Sequence, residues 1–269
     1  MSGTDQHTEV AAPQADGSVI ESSIDDRVGT ILLNRPAAMN AITIALGTEL
    51  EAALRTLAEQ VDVIVIRGSG GNFSVGGDFN ELQALREQGR EAMAPLFANF
   101  TRACATIAEL DVPVIAAVEG YAMAGGFELM QSADIALVHE KAKLADTHSN
   151  HGMVPGGGST QRLPRLVGRQ RALAHILTGD RLSAAEAVAW GLAYKVIPAD
   201  TFDADVADFA RALAGKDRTA LARSKRLVYQ GLQQPLEDGI AMEASVVLDH
   251  LSEDSSGEGI DAFTKKKGS

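Results

Sequence analysis

The sequence predicts an α/β fold whose last quarter is entirely helical. Two observations carry this. Up to about residue 200, short β-branched runs alternate with stretches of helical apolar spacing. From Thr201 onward only the helical spacing remains. Three regions follow: a tail at 1–17, a mixed core at 18–200, and a helical region at 201–269.

Residues 1–17 are polar and aperiodic, and read as a disordered tail. Residues 19–23 and 28–33 read as two strands around the turn Asp25-Asp26-Arg27. Residues 40–59 carry Leu46, Leu50, Leu54 and Leu57 on one helical face, with Thr43 or Thr48 as candidate caps. Residues 61–67 (V-D-V-I-V-I-R) form an apolar strand that ends at a glycine-rich turn. Residues 82–109 are largely helical, with a break suggested by Gly89 and Pro95. A buried strand at 112–118 precedes a helix opened by Gly125, and 135–138 is a further strand. Helices at 160–167, 170–178 and 183–191 and a short strand at 194–197 complete the core. The remainder reads as helices at 206–213, 219–229, 235–251 and 256–266, with Met242, Val246 and Val247 as apolar positions suited to a partner subunit.

Composition narrows the function classes. A net charge of −12 argues against a nucleic-acid binder and against an anionic membrane surface. The single cysteine, Cys104, excludes an internal disulfide and lies in an apolar helical stretch, which suits an inert buried thiol. No apolar run approaches the ~18 residues of a membrane span, and no signal-peptide pattern opens the chain. A cytoplasmic location is therefore expected. The dinucleotide, P-loop, zincin and nucleophile-elbow motifs are all absent from the sequence.

The chemistry concentrates in two stretches. Gly120 to Glu128 (G-Y-A-M-A-G-G-F-E) sets small residues at a strand-to-helix turn. Backbone N–H groups in a first helical turn lack intrahelical partners and can polarise a carbonyl; close helix–strand packing is the competing explanation for the small residues. The turn at 68–78 (G-S-G-G-N-F-S-V-G-G-D) also follows a buried strand, and Val75 N–H is its candidate donor. Glu128, in the first helical turn, is either a general acid–base or only a favourable charge at the helix start. His148, His151 and Asp146 follow in a turn-rich stretch before Pro155. Their spacing is compatible with metal ligation, but no further ligand cluster accompanies them, so no metal site is expected.

These residues resemble the crotonase family, also called the enoyl-CoA hydratase/isomerase superfamily. The resemblance runs through N-R-P-x-x-x-N-A at 34–41, F-S-x-G-x-D at 73–78, P-V-I-A-A-V-x-G-x-A at 113–122 and G-G-F-E at 125–128. It continues in A-D-I at 133–135, G-x-x-P-G-G-G-S-T-Q-R-L at 152–163, L-T-G-D at 177–180, E-A-x-x-x-G-L at 186–192 and E-G-I-x-A-F at 258–263. The resemblance implies a spiral of ββα units with a C-terminal helical trimerisation region, assembled as a homotrimer or a hexamer (a dimer of trimers). It implies an acyl-CoA substrate, with coenzyme A present as part of the thioester and no permanently bound cofactor. Val75 and Gly125 would supply the oxyanion hole, Glu128 the proton transfer, and Arg35, Asp78, Phe263 and Lys266 the contacts to coenzyme A. The segment at 83–93 would form a loop over the acyl pocket.

Three departures qualify the resemblance. His148 stands where the second hydratase glutamate is expected, Ala37 where lysine is frequent, and Ala124 replaces the first glycine of a triple-glycine run, which reads as a mild change. The leading expectation is an enoyl-CoA hydratase in which His148 helps to orient water. An enoyl-CoA isomerase, a β-diketone hydrolase and a non-catalytic acyl-CoA-binding protein are the alternatives.

Overall fold

The structure, a computed structural model, describes residues 17–252; residues 1–16 of the expected tail, the helix expected at 256–266, Phe263 and Lys266 lie outside the described residues. Strands β1 (Ile20–Asp25) and β2 (Val28–Leu33) form an antiparallel hairpin. Helix α1 (Ile44–Ala58) starts at Thr43, whose Oγ1 accepts the Leu46 N–H at 3.1 Å. Of the two candidate caps, Thr43 is therefore the one used, and Thr48 bonds back to the Ile44 carbonyl instead. Leu46, Leu50, Leu54 and Leu57 are all buried, as their spacing requires.

Strand β3 (Val63–Gly68) leads through the glycine-rich turn to α2 (Phe79–Gln88) and α3 (Arg90–Glu109). The expected break falls at Gly89, which adopts φ 99° and ψ −177°; Pro95 lies inside α3 without ending it. The segment expected as a loop at 83–93 is thus the end of α2, one glycine and the start of α3. Then come β4 (Val114–Val118), β5 (Tyr121–Met123), α4 (Gly125–Ser132), β6 (Ile135–His139) and β7 (Lys143–Ala145). The core continues with α5 (Ser159–Val167), α6 (Arg169–Thr178), β8 (Leu182–Ser183), α7 (Ala184–Ala189) and β9 (Lys195–Ile197). Helices α8 (Phe202–Ala214), α9 (Arg218–Gly231) and α10 (Leu236–Leu251) close the described chain.

Six strands form one sheet in the order β1-β2-β3-β4-β6-β9, parallel except at β1–β2. A smaller sheet has the order β5-β7-β8. Units β4-β5-α4 and β6-β7-α5 each place one strand in either sheet, and their repetition gives the spiral. The three strands of the small sheet are two or three residues long, too short to register as alternation in the sequence.

Strands β3 and β4, in the middle of the large sheet, are covered on both faces, which explains why they read as unbroken apolar runs. One face joins the main core with α1, α3 and α4. The other packs Val63, Val65, Ile115 and Leu137 against Phe202, Val206 and Ala210 of α8. Helix α8, the first helix of the expected region 201–269, therefore packs directly on the sheet. Helix α9 is tied to the core by polar contacts. Lys225 Nζ donates to the carbonyls of Ile107 (2.6 Å) and Val112 (2.9 Å) and pairs with Asp134 at 2.7 Å. Among the described residues, no helix is long and apolar enough to cross a membrane.

Candidate active site

The site is built where parallel strands end. Strands β5 and β7 pair in parallel, with Met123 opposite Ala145 on the last rung. The chain leaves β5 into α4, which carries Glu128, and leaves β7 into the turn that carries Asp146 and His148. The 74–76 turn is stitched to the same place: Ser74 N–H donates to Tyr121 O at 2.9 Å and Met123 N–H to Ser74 O at 2.9 Å. These residues open onto a cleft of about 970 Å³ lined by Val75, Gly125, Glu128 and His148, with Phe97 and Phe100 of α3 among its apolar walls. Gln83, Arg86 and Met93 also line it, so the 83–93 segment does flank the cleft, as helix rather than loop.

The two expected oxyanion donors differ. Gly125 is the first residue of α4, so its N–H has no intrahelical acceptor. No other acceptor for it is found among the described residues. Val75 N–H, in contrast, donates to the Met39 carbonyl at 3.2 Å. Met39 (φ 48°) and Asn40 (φ 58°) are both left-handed. The buried Asn40 side chain holds that turn by donating to Ser69 O (2.9 Å) and Asn72 O (2.7 Å). A carbonyl arriving at Val75 must therefore share that N–H with Met39. Small residues are needed at this junction, because a Cβ on Gly126 would overlap the Ser74 carbonyl. Close packing and an open N–H thus coexist here.

Glu128 is 2% exposed. Its Oε1 accepts the N–H groups of Gly157 (2.8 Å) and Ser159 (3.0 Å), at the start of α5. The carboxylate is held by the start of α5 rather than by its own helix. Its other oxygen, Oε2, lies 3.8 Å from Nε2 of His148. Burial raises the Glu128 carboxyl above its ordinary value, against the opposing pull of the Ser159 N–H, the His148 ring and the Gly157 N–H.

His148 is 8% exposed, and its Nδ1 lies 2.6 Å from Asp146 Oδ1. Burial alone would lower the imidazole, but the Asp146 hydrogen bond and charge, with the Glu128 charge, outweigh it and raise the ring above its ordinary value. The sequence alone offers Asp146 only as a candidate metal ligand. Its partnership with His148 is not visible there, because an i, i+2 spacing outside regular structure does not say which way side chains turn. His151 also lines the cleft, where its ring meets the Phe79 ring edge-on at 5.3 Å. No group of three or more His, Cys, Asp or Glu side chains placed to hold a metal occurs among the described residues.

Arg35 and Asp78, expected at coenzyme A, are engaged with each other. Arg35 Nη2 bonds Asp78 Oδ2 at 2.8 Å, Arg35 Nη1 donates to Ala41 O at 2.5 Å, and Asp78 caps α2 through the N–H groups of Asn80 and Glu81. Ala124 also departs from expectation. It adopts φ 46° and ψ −115°, a conformation that favours glycine, so its replacement of a glycine is a strained change rather than a mild one. Cys104 is buried, and burial pushes its thiol up to about 12, which removes it from the chemistry.

Alternating ββα units around a cleft at parallel strand ends define a protein of the crotonase fold. The chain belongs to the enoyl-CoA hydratase/isomerase family, whose model matches residues 23–269. It is 34% identical over 263 residues to the mitochondrial enoyl-CoA hydratase of Pongo abelii, covering 95% of this chain and 89% of that one. Its structure is similar to that of enoyl-CoA hydratase from Mycobacterium smegmatis, with a TM-score of 0.87, 33% identity, and 92% and 96% of the two chains covered. The Bacillus anthracis enoyl-CoA hydratase gives a TM-score of 0.86 at 32% identity, with 92% and 96% covered.

Proposed function

We propose that this chain adds water across the double bond of a 2-enoyl-CoA thioester. The observation that carries the reading is the separation of His148 Nε2 and Glu128 Oε2, 3.8 Å, at the wall of a cleft that also presents the Gly125 N–H. That separation is too long for a direct hydrogen bond, yet one water oxygen can reach both groups at about 2.8 Å. As the water oxygen bonds to Cβ, electron density moves to the thioester oxygen. The Gly125 N–H stabilises it there, with the Val75 N–H shared from Met39. Glu128 delivers the proton to Cα, and the burial that raises its carboxyl favours the protonated form this step requires. His148 orients the water, and its Nε2 takes the proton that the water loses as the Cβ–O bond forms; that proton returns to the Glu128 carboxylate, which has given its own to Cα. Coenzyme A enters as part of the substrate.

The assay is incubation with a short 2-enoyl-CoA and mass analysis of the product. A 3-hydroxyacyl-CoA supports the reading; a product of unchanged mass with a shifted double bond identifies an isomerase, and no product here with C–C cleavage of a β-diketone offered separately identifies the hydrolase. Either of those, or no product with acyl-CoA bound, contradicts it.

The same proposal includes a homotrimer or hexamer. Val228, Leu232, Leu236, Ile240, Leu248 and Leu251 expose apolar side chains on α9, α10 and the turn between them, an area suited to a second copy of the chain. Light scattering that returns only the monomer mass would contradict the assembly. A cytoplasmic location is part of the proposal as well, although the similar Pongo abelii protein is named mitochondrial.

A further inference from the structure

Behind the pair that handles water stands a second carboxylate that has no role in the scheme above. Asp146 is fully buried. Its Oδ1 meets Nδ1 of His148 at 2.6 Å, while the His148 backbone N–H reaches the same oxygen only at 3.5 Å, so the ring contact is the stronger one. Its Oδ2 is buried without any hydrogen-bond partner, which leaves the imidazole as the group that shares the carboxylate's charge. The segment is held from the far side as well, since Asp146 N–H donates to Nε2 of His175 at 3.2 Å.

An ionised carboxylate only accepts hydrogen bonds, so the proton of the bonded ring nitrogen must lie on Nδ1. In the neutral ring, Nε2 then carries the free lone pair, and Nε2 is the atom aimed at Glu128.

We propose that Asp146 is the positioning residue of His148: it fixes the Nδ1–H tautomer, presents the Nε2 lone pair to the water shared with Glu128, and stabilises the imidazolium when Nε2 takes a proton. The chemical use of this arrangement rests on the hydration reading, but the tautomer does not. The ionisable groups facing the imidazole are Asp146, from the exit of β7, and Glu128, from α4; His175, from α6, meets Asp146 through the backbone. Burial opposes the charged ring, and these two carboxylates raise it.

The test is ¹⁵N NMR of the full chain labelled at histidine, with the His148 signals assigned by their loss in His148→Gln. In the wild type above the imidazole pKa, the neutral ring is expected with its proton on Nδ1, and with a pKa above the ordinary 6.5. An Nε2–H ring in the wild type overturns the proposal, and this arm needs no variant of Asp146. In Asp146→Asn, which keeps the side-chain shape, the proton should move toward Nε2 and the pKa should fall; an unchanged tautomer and pKa also overturn it. On a 2-enoyl-CoA, the same variant should lose about a hundredfold in kcat with KM little changed, and its acid limb should shift to lower pH. A kcat equal to wild type overturns the positioning role. If the wild type shows the Nδ1–H ring but does not hydrate a 2-enoyl-CoA, the hydration reading fails and the Asp146 assignment stands.

Discussion

Met123 and Ala145 face each other on the last rung of the parallel β5–β7 pair, and the next residue, Ala124, donates its N–H back to Ala145 O at 2.9 Å. That rung sets the geometry of the site. From it one chain turns into α4 and reaches Glu128, while the other turns into Asp146 and His148. Two side chains twenty residues apart thereby meet across 3.8 Å. The rung also explains the strain at Ala124, whose N–H is fixed by Ala145 and whose carbonyl accepts the Glu128 N–H at 2.9 Å, leaving its φ of 46° no room to relax.

Ala124→Gly should therefore stabilise the protein. Relief of a strained conformation contributes about 1–3 kcal/mol, and the greater freedom of glycine in the unfolded chain takes back about 0.5–1 kcal/mol. Urea unfolding is expected to show a higher midpoint with an unchanged slope. A lower midpoint would mean that Ala124 is not strained.

How much of this was legible in the sequence depends on length and on direction. The long elements were readable, because Leu46, Leu50, Leu54 and Leu57 or the V-D-V-I-V-I-R run repeat a period over enough residues to be distinctive. Strands β5, β7 and β8 are too short to repeat anything, yet β5 and β7 lead directly to Glu128 and His148. Glu128 and Gly125 were readable from a glycine-rich strand-to-helix turn. The Asp146–His148 bond was not, because side-chain direction in an irregular turn is set by tertiary packing. Nor was the Met39 carbonyl on Val75 N–H, which depends on two successive left-handed residues that carry side chains.

The two raised groups give stability a definite pH trend. The His148 contribution is fully present below the ordinary imidazole value of 6.5 and is lost as pH rises through the higher folded value. Glu128, also raised, acts in the same direction from its ordinary 4.5 upward. Unfolding free energy measured upward from pH 6 should fall more steeply in the wild type than in His148→Gln, since the imidazole titrates above its ordinary value in the folded chain. Equal slopes would contradict the raised imidazole.

Lys225→Met tests the seat of α9. Its ammonium is 7% exposed, and burial lowers its pKa against the raising effect of Asp134. Removing it leaves Asp134 without its cation and two carbonyls without a donor, which should cost about 3–5 kcal/mol. Thermal unfolding should show a clear loss; a midpoint within error of the wild type would show that the pair contributes little.

In the proposed reaction Glu128 and His148 share one water and add it to a 2-enoyl-CoA. The most direct measurement is the rate of 3-hydroxyacyl-CoA formation by the wild type, Glu128→Gln and His148→Ala under saturating substrate. In Glu128→Gln the amide oxygen can still accept the Gly157 and Ser159 N–H groups, so the fold is expected to hold. Each variant is predicted to lose roughly 10²–10⁴-fold in kcat, the contribution of a positioned acid–base group. A wild type that binds the thioester without forming the hydroxy product, or a His148→Ala variant as fast as the wild type, would contradict the account.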